Sequence, residues 1–385
     1  MRGVFRPSMK RTGNIRVVAD EAIPFMSGVL EHLTDLSLMQ GRLISRQTIH
    51  NADALIVRTR TVCNSSLLGG TRVKFIATAT IGFDHIDTAY CRKNGILFAN
   101  APGCNAESVK QYLTAALIKI CIERGIDPTL LTLGVIGAGH TGSRVASSAS
   151  ALGMRVLIND PPRQRKEPNI KFSELKDLAK ESDILTLHVP LTMTGRDGTF
   201  HLAGKELIAS MKRGSWLINT SRGGVTDEYE VKRALWSGQL GGYVADVWSS
   251  EPAADNELIA MSYLATPHIA GYSADGKLNG ARMVLEALAG HFSLPLALPD
   301  SGILPVPPDA IITLNPSESD TSTSVLQAIS RSYDIEAESR RFKSSPGSFE
   351  EIRNNYPLRR EFHAYKVSGP DPVIDICRNL GFRID

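Results

Sequence analysis

The sequence is poor in the features that mark most specialised classes of protein. Its five cysteines (Cys63, Cys91, Cys104, Cys121 and Cys377) are odd in number and form no CxxC pair or metal-ligand spacing. Neither a disulfide framework nor a zinc site is expected, and the thiols read as the reduced side chains of a cytoplasmic protein. No run of about 18 apolar residues occurs, so no membrane-spanning helix is expected. A net charge of +3 gives no strongly basic face, which argues against nucleic acid or a membrane surface as partner. Residues 1–14 are basic and lack an acid, but they also lack the apolar stretch of a signal peptide and read as a flexible tail. What remains is a chain of 385 residues, 42% hydrophobic and 22% charged. That is the balance of a soluble globular protein, long enough for two or three domains.

The most informative stretch that is present is Gly137-Ala-Gly139-His140-Thr141-Gly142. It follows the apolar run Leu131–Ile136 and precedes a second run, Arg155–Asn159, that ends on Asp160. Strand, glycine loop, helix and second strand make a complete βαβ unit for a dinucleotide. The first glycine allows the tight turn, the second lets a pyrophosphate approach the backbone, and the third lets helix and strand pack closely. The helix expected to start near Thr141 would offer free N–H groups to the phosphates. A carboxylate at Asp160 can accept hydrogen bonds from both ribose hydroxyls and would repel a 2′-phosphate. NAD is therefore expected over NADP.

Around this unit, short β-rich runs alternate with helical stretches. Ile15–Ala19, Ala54–Arg58, Lys74–Thr78 and Gly95–Ala99 form a first set of strands, and Glu107–Arg124 is a crossing helix. Leu131–Ile136, Val156–Asn159, Ile184–Val189, Trp216–Asn219 and Tyr243–Val247 form a second set, closed by a short run at Leu264. A helix near Asp275–His291 precedes a proline-rich connector, and an alternating α and β pattern resumes from Ala310. The expected fold is α/β: two Rossmann-like doubly wound parallel-sheet domains and a small C-terminal α+β domain.

Three residues beyond the glycine loop have types suited to alcohol oxidation. Arg222, just past a strand end in Asn219-Thr220-Ser-Arg-Gly-Gly, can grip a carboxylate through two parallel hydrogen bonds. His268, in Thr266-Pro-His-Ile-Ala-Gly271, can give and take a proton near neutral pH. Glu251, in Trp248-Ser-Ser-Glu-Pro, can pair with that imidazole. Removing hydride from a carbinol carbon requires removing a proton from its oxygen, and this trio fits that need. Taken singly, each is as readily a structural or surface residue.

These motifs together resemble those of the D-isomer-specific 2-hydroxyacid dehydrogenases. The resemblance implies that Arg222, Glu251 and His268 are catalytic, with His268 the proton donor in the reductive direction, and that Asp246 meets the nicotinamide carboxamide. It also implies a catalytic domain wrapped around an inserted nucleotide domain, with a cleft between them. The expected boundaries are residues 15–112 with 269–293 for the catalytic domain and 113–268 for the NAD-binding domain. A linker at 294–309 then leads to a C-terminal domain at 310–385.

Within the family the chain is similar to a branch that oxidises a 4-phosphorylated 2-hydroxy acid. The similar stretches are Asp20-Glu-Ala-Ile-Pro, Thr78-Ala-Thr80-Ile-Gly-Phe-Asp-His, Ala101-Pro-Gly-Cys-Asn-Ala, Asn159-Asp-Pro-Pro-Arg and His268-Ile-Ala-Gly-Tyr272-Ser. The last 75 or so residues resemble that branch's C-terminal dimerisation domain, which implies a homodimer. Substrate contacts then fall on Thr59, Thr80 and Tyr272. NAD contacts fall on the glycine loop and on Asp160, Val189, Thr220, Asp246 and Gly271. Val189 can serve NAD only through its backbone or as an apolar wall, and His140 and Thr141 are unusual loop residues. A phosphate needs fixed donors, and Arg58-Thr59-Arg60 at a strand end can supply them. Arg359 and Arg360 could add charge from the C-terminal domain, within one chain or across a dimer. Two alternatives stay open: a sister dehydrogenase acting on glycerate, phosphoglycerate or lactate, and a non-enzymatic NAD-sensing binding protein.

Overall fold

The computed structural model describes residues 15–315 and 320–385. The N-terminal tail, residues 1–14, lies outside the described residues. The chain divides into two compact units. One holds the described residues through Asn105 together with Ala274–Pro305, and the other holds Ala106–Ser273 together with Val306–Asp385.

The first unit is built on a parallel sheet of β1 (Ile15–Asp20), β2 (Thr34–Met39), β3 (Ala54–Val57), β4 (Phe75–Thr78) and β5 (Leu97–Asn100) in the order β2-β1-β3-β4-β5. Alternate residues of these strands feed two cores. Val17, Ala19, Ile56, Phe75 and Ala77 face the helix Ala274–Phe292 through its Ala281, Val284, Leu285 and Leu288. Val18, Leu55, Val57 and Ile76 face Ile44, Ile49, Leu68 and Cys91 on the other side. Burial on both faces is why these strands are nearly continuous apolar runs. β2 was not foreseen: it is an edge strand, half polar, and its sequence Thr-Asp-Leu-Ser-Leu-Met carries little β signal.

The second unit contains a parallel sheet of β6 (Thr132–Ile136), β7 (Arg155–Asn159), β8 (Ile184–Leu187), β9 (Ser215–Asn219), β10 (Leu240–Ala245) and β11 (Leu264–Ala265), in the order β11-β10-β9-β8-β6-β7. The order reverses between β6 and β8, and the carboxyl ends of strands at such a switch point are where open α/β sheets bind ligands. A small parallel sheet of β12 (Ile311–Thr313), β13 (Lys366–Ser368) and β14 (Arg383–Ile384) belongs to the same unit.

Two features of this division bear on the expected boundaries. The helix Ala106–Arg124 belongs to the second unit from its first turn, and that unit runs to Ser273. The region from 310 onward, expected as a C-terminal α+β domain, has its own small sheet and shares a core with the nucleotide sheet. The crossing helix is buried nearly all round because Leu133, Val135 and Val145 lie in the same core as Val325, Ala328, Ile329, Ile374 and Cys377. The proline-rich connector is extended as expected, yet its Leu294, Leu296 and Leu298 pack on the first unit's core.

Candidate active site

The cofactor loop is shaped by two glycines and left open by a third. Gly137 has φ +88°, and a Cβ there would lie 2.5 Å from the His188 carbonyl oxygen and 2.8 Å from Val189 Cγ1. The loop after β6 thus lies directly against the end of β8, at the switch point. A Cβ on Gly142 would lie 1.9 Å from the Gly137 oxygen, so only glycine lets the helix His140–Ala151 start so close to the strand. A Cβ on Gly139 would meet nothing within 4 Å. That space, at the helix N-terminus, fits a pyrophosphate. The helix begins at His140, one residue before the expected start, with Gly139 as its cap. Thr141 lies in its first turn.

Asp160, at the end of β7, accepts the Ala138 N–H at 2.8 Å on one oxygen and the Arg163 N–H at 2.9 Å on the other. Arg163 is the neighbouring cation that could have favoured a 2′-phosphate. Its guanidinium instead forks onto Glu167, at 2.8 and 2.9 Å, and donates to the Ala138 carbonyl at 2.8 Å. Two further features fit a dinucleotide: the Thr220 hydroxyl is buried without a hydrogen-bond partner, and burial pushes His188 down to about 3. The neutral imidazole is 3.0 Å from Thr186 Oγ1, beside Val189.

The loop after β9 presents Arg222. Asn219 organises it, accepting from the Ser221 N–H and hydroxyl at 3.0 and 2.8 Å and donating to the Arg222 carbonyl at 2.9 Å. The guanidinium donates to the Ser221 carbonyl at 2.8 Å. A Cβ on Gly223 would lie 2.0 Å from the Trp248 carbonyl carbon, so the arginine loop rests on the backbone that leads to Glu251.

Glu251 and His268 form a pair, with Oε2 2.7 Å from Nδ1. The other Glu251 oxygen accepts the Trp248 N–H at 3.0 Å. Burial pushes the Glu251 carboxyl up, but the His268 charge and hydrogen bond, the Trp248 N–H and the charge of Arg353 outweigh it and hold the group below the usual range. His268 has φ +58°, a conformation that side-chain-bearing residues adopt only when held. The holding group is Asp246. Its backbone oxygen accepts the His268 N–H at 2.7 Å, and its carboxylate accepts Thr266 Oγ1 at 2.6 Å, the Ile269 N–H at 2.8 Å and the Ala270 N–H at 2.9 Å. Asp246 is 1% exposed, and burial raises its pKa despite these partners. Its oxygens are thus engaged in the histidine loop, a task that the expected nicotinamide contact did not anticipate.

Gly271 and Tyr272 continue the loop. The Tyr272 ring centroid lies 5.3 Å from the Arg353 guanidinium carbon and 5.9 Å from the Tyr356 ring. In the first unit, Arg58 and Thr59 follow β3 and Thr80 follows β4, so the three share the carboxyl edge of adjacent strands. Thr80 donates to the Gly82 carbonyl at 2.9 Å and lies 2.9 Å from Thr78 Oγ1. Arg359 and Arg360, offered by the sequence as added charge for the substrate, lie inside the second unit. Both are 6% exposed, and Arg359 donates to Ala270 O of its own chain. Residue pattern gave no sign of Arg353, Arg359 or Glu361 beside the histidine loop, since their partners lie about 80 or more positions away. Among the described residues no acidic, cysteine or histidine cluster could hold a metal, and no helix is long and apolar enough to cross a membrane.

Comparison with known proteins places this geometry. Residues 121–270 match the D-isomer specific 2-hydroxyacid dehydrogenase NAD-binding domain, and residues 303–381 match a domain of unknown function (DUF3410). The chain is 44% identical over 354 residues to erythronate-4-phosphate dehydrogenase of Bacteroides fragilis, covering 92% of this chain and 99% of that one. It is 37% identical over 372 residues to the protein of that name from Yersinia pestis, covering 96% and 99%. Among solved structures, D-lactate dehydrogenase from Aquifex aeolicus, complexed with NAD and lactic acid, superposes with a TM-score of 0.59 at 29% identity. It covers 74% of this chain and 100% of that one.

Proposed function

The chain belongs to the erythronate-4-phosphate dehydrogenases, within the D-isomer-specific 2-hydroxyacid dehydrogenases, and from that premise we propose how it works as an enzyme. It oxidises 4-phospho-D-erythronate to 2-oxo-3-hydroxy-4-phosphobutanoate with NAD, a step of vitamin B6 biosynthesis in the cytoplasm. Bound NAD would supply the acceptor for the hydride that leaves C2. The chain's own groups do the rest. Arg222 holds the substrate carboxylate through its guanidinium fork and polarises the neighbouring C2 oxygen. His268 takes the C2 hydroxyl proton on Nε2, and Glu251 at Nδ1 stabilises the imidazolium that results. Asp246 keeps that imidazole in place through the backbone. Gly137, Gly139, His140, Thr141 and Gly142 cradle the pyrophosphate, Asp160 takes the ribose, and Val189, Thr220 and Gly271 line the rest of the cofactor site. Arg58, Thr59 and Thr80 hold the distal phosphate, and Tyr272 borders the substrate. Two copies pair through residues 310–385.

The observation that carries this reading is the Nδ1–Oε2 contact of 2.7 Å on a loop held by buried Asp246. It supplies a proton carrier in the same unit as the dinucleotide loop. The test is NADH formation over a panel of 2-hydroxy acids with and without a 4-phosphate. Erythronate 4-phosphate should be oxidised far faster than erythronate, glycerate or lactate. Equal rates on plain and phosphorylated acids would leave only a general 2-hydroxyacid dehydrogenase.

A further inference from the structure

We propose that the C-terminal region completes the active site of its own chain, with Arg359 as a positioning residue that fixes the backbone of the His268–Ser273 loop. The proposal rests on the reading that His268 exchanges the substrate proton, and it gives the region that matches DUF3410 a role beyond pairing two copies.

The loop is gripped from two sides. From the nucleotide sheet, the Asp246 carboxylate accepts the Ile269 and Ala270 N–H groups at 2.8 and 2.9 Å. From the C-terminal side, Arg359 Nη2 donates to the Ala270 carbonyl at 2.5 Å, which also accepts Ser108 Oγ at 2.9 Å. Nη2 contacts Ser108 Oγ as well, closing a triangle. Ser273 Oγ donates to Glu361 Oε1 at 2.7 Å, and Arg353 and Tyr356 flank the Tyr272 ring. A negative group therefore holds Ala270 by its N–H and a positive group holds it by its C=O, two residues from a histidine kept at φ +58°.

Arg359 is a poor choice for mere packing. It is 6% exposed, and neither Nε nor Nη1 has a hydrogen-bond partner. Its charge is eased by the Tyr333 face, 4.5 Å from the guanidinium carbon, and by the nearby Glu361 and Asp246 carboxylates. An apolar side chain would fill such a site with no charge to desolvate, but it would leave the buried Glu361 and Asp246 carboxylates without that cation. What only the cation supplies is a strong directional donor to the Ala270 carbonyl. Losing it should loosen the loop and misplace His268 against Glu251, while Arg222 continues to bind the carboxylate. The cost should thus appear in turnover and not in substrate affinity.

The experiment compares Arg359→Met, Arg359→Lys and Ser108→Ala with the unsubstituted enzyme. Measurements are steady-state rates with NAD and erythronate 4-phosphate, thermal unfolding, and amide exchange of the 266–273 peptide. Arg359→Met should still unfold cooperatively, lose about 10- to 100-fold in kcat with KM changed less than about threefold, and exchange the Ile269 and Ala270 amides faster. Arg359→Lys should recover part of the rate, and Ser108→Ala should show the same pattern more weakly. Normal kcat in Arg359→Met, or a loss confined to KM, would overturn the proposal. If Arg359→Met does not fold, Ser108→Ala decides by the same criteria. Unsubstituted enzyme inert toward erythronate 4-phosphate would refute the substrate assignment instead, and the exchange comparison would then decide this proposal alone.

Discussion

His268 carries the proposed chemistry because, among the described residues of the second unit, it is the imidazole with a half-buried carboxylate at hydrogen-bond distance and a backbone held in an uncommon conformation. His268→Asn keeps the size and a hydrogen bond to Glu251 but cannot move the proton. Its kcat should fall by about 10²- to 10⁴-fold, the usual worth of general acid–base help, with the melting temperature little changed. A near-normal rate would require another proton carrier. Arg222 and Arg58 should fail differently, because a carboxylate is common to all 2-hydroxy acids and a 4-phosphate is not. Arg222→Ala should slow phosphorylated and plain acids alike. Arg58→Ala should raise KM for erythronate 4-phosphate alone, by about ten- to a hundredfold for one charge-assisted contact. An unchanged KM would move the phosphate site away from the β3 edge. Glu251 gives a pH prediction. Its native pKa is held below the usual range, so its stabilising effect is complete above the ordinary carboxylate pKa and disappears as pH falls through the native value. Unsubstituted protein should therefore lose more melting temperature than Glu251→Gln does as pH falls below the ordinary carboxylate pKa. Equal losses would mean that the pair adds nothing to folding.

The glycine loop shows what a sequence reveals about an element and what it hides. Gly137 and Gly142 were legible as steric requirements, and each would clash with backbone if it carried a Cβ. The third glycine is different: Gly139 has φ −72°, ordinary for any residue, and open space where a Cβ would stand. Gly139→Ala should fold as well as the natural sequence yet weaken NAD binding at least about tenfold, because its methyl would occupy the pyrophosphate's place. Titration of intrinsic fluorescence with NAD checks this, and unaltered affinity would put the phosphates elsewhere. Central strands were legible because both faces are buried. β2 was not, because an edge strand needs few apolar residues. The histidine motif announced its side chain but not its support. Asp246, Ser108, Arg359 and Glu361 converge on residues 269–273 only after folding, and nothing in local pattern links positions so far apart.

At the scale of the whole molecule, proline in the connector and a fresh α/β rhythm from Ala310 point to a C-terminal domain, and residues 303–381 match a family domain of their own. The structure adds that this domain shares one compact unit with the nucleotide sheet. The crossing helix Ala106–Arg124 explains why, since its apolar residues run all round and need cover on both sides. Val325, Ala328, Ile329, Ile374 and Cys377 are buried in that shared core. Burying a large aliphatic side chain is worth about 1.5–3 kcal/mol, so exposing the helix face under a handful of them would cost on the order of 10 kcal/mol. Domain stabilities are about 5–15 kcal/mol, so the loss is comparable with everything that holds the unit folded. Deleting residues 306–385 should therefore yield an insoluble or protease-sensitive chain, not a free nucleotide-binding core. The proposed dimer needs a gentler probe. Ile311 and Leu358 are 66% and 58% exposed within the single chain, and charging both should leave each copy folded while separating the pair. Sedimentation of Ile311→Arg/Leu358→Arg should show monomers with normal thermal unfolding. A soluble deletion product that unfolds cooperatively and binds NAD would refute the shared-core argument, and an undisturbed dimer in the double variant would place the interface elsewhere.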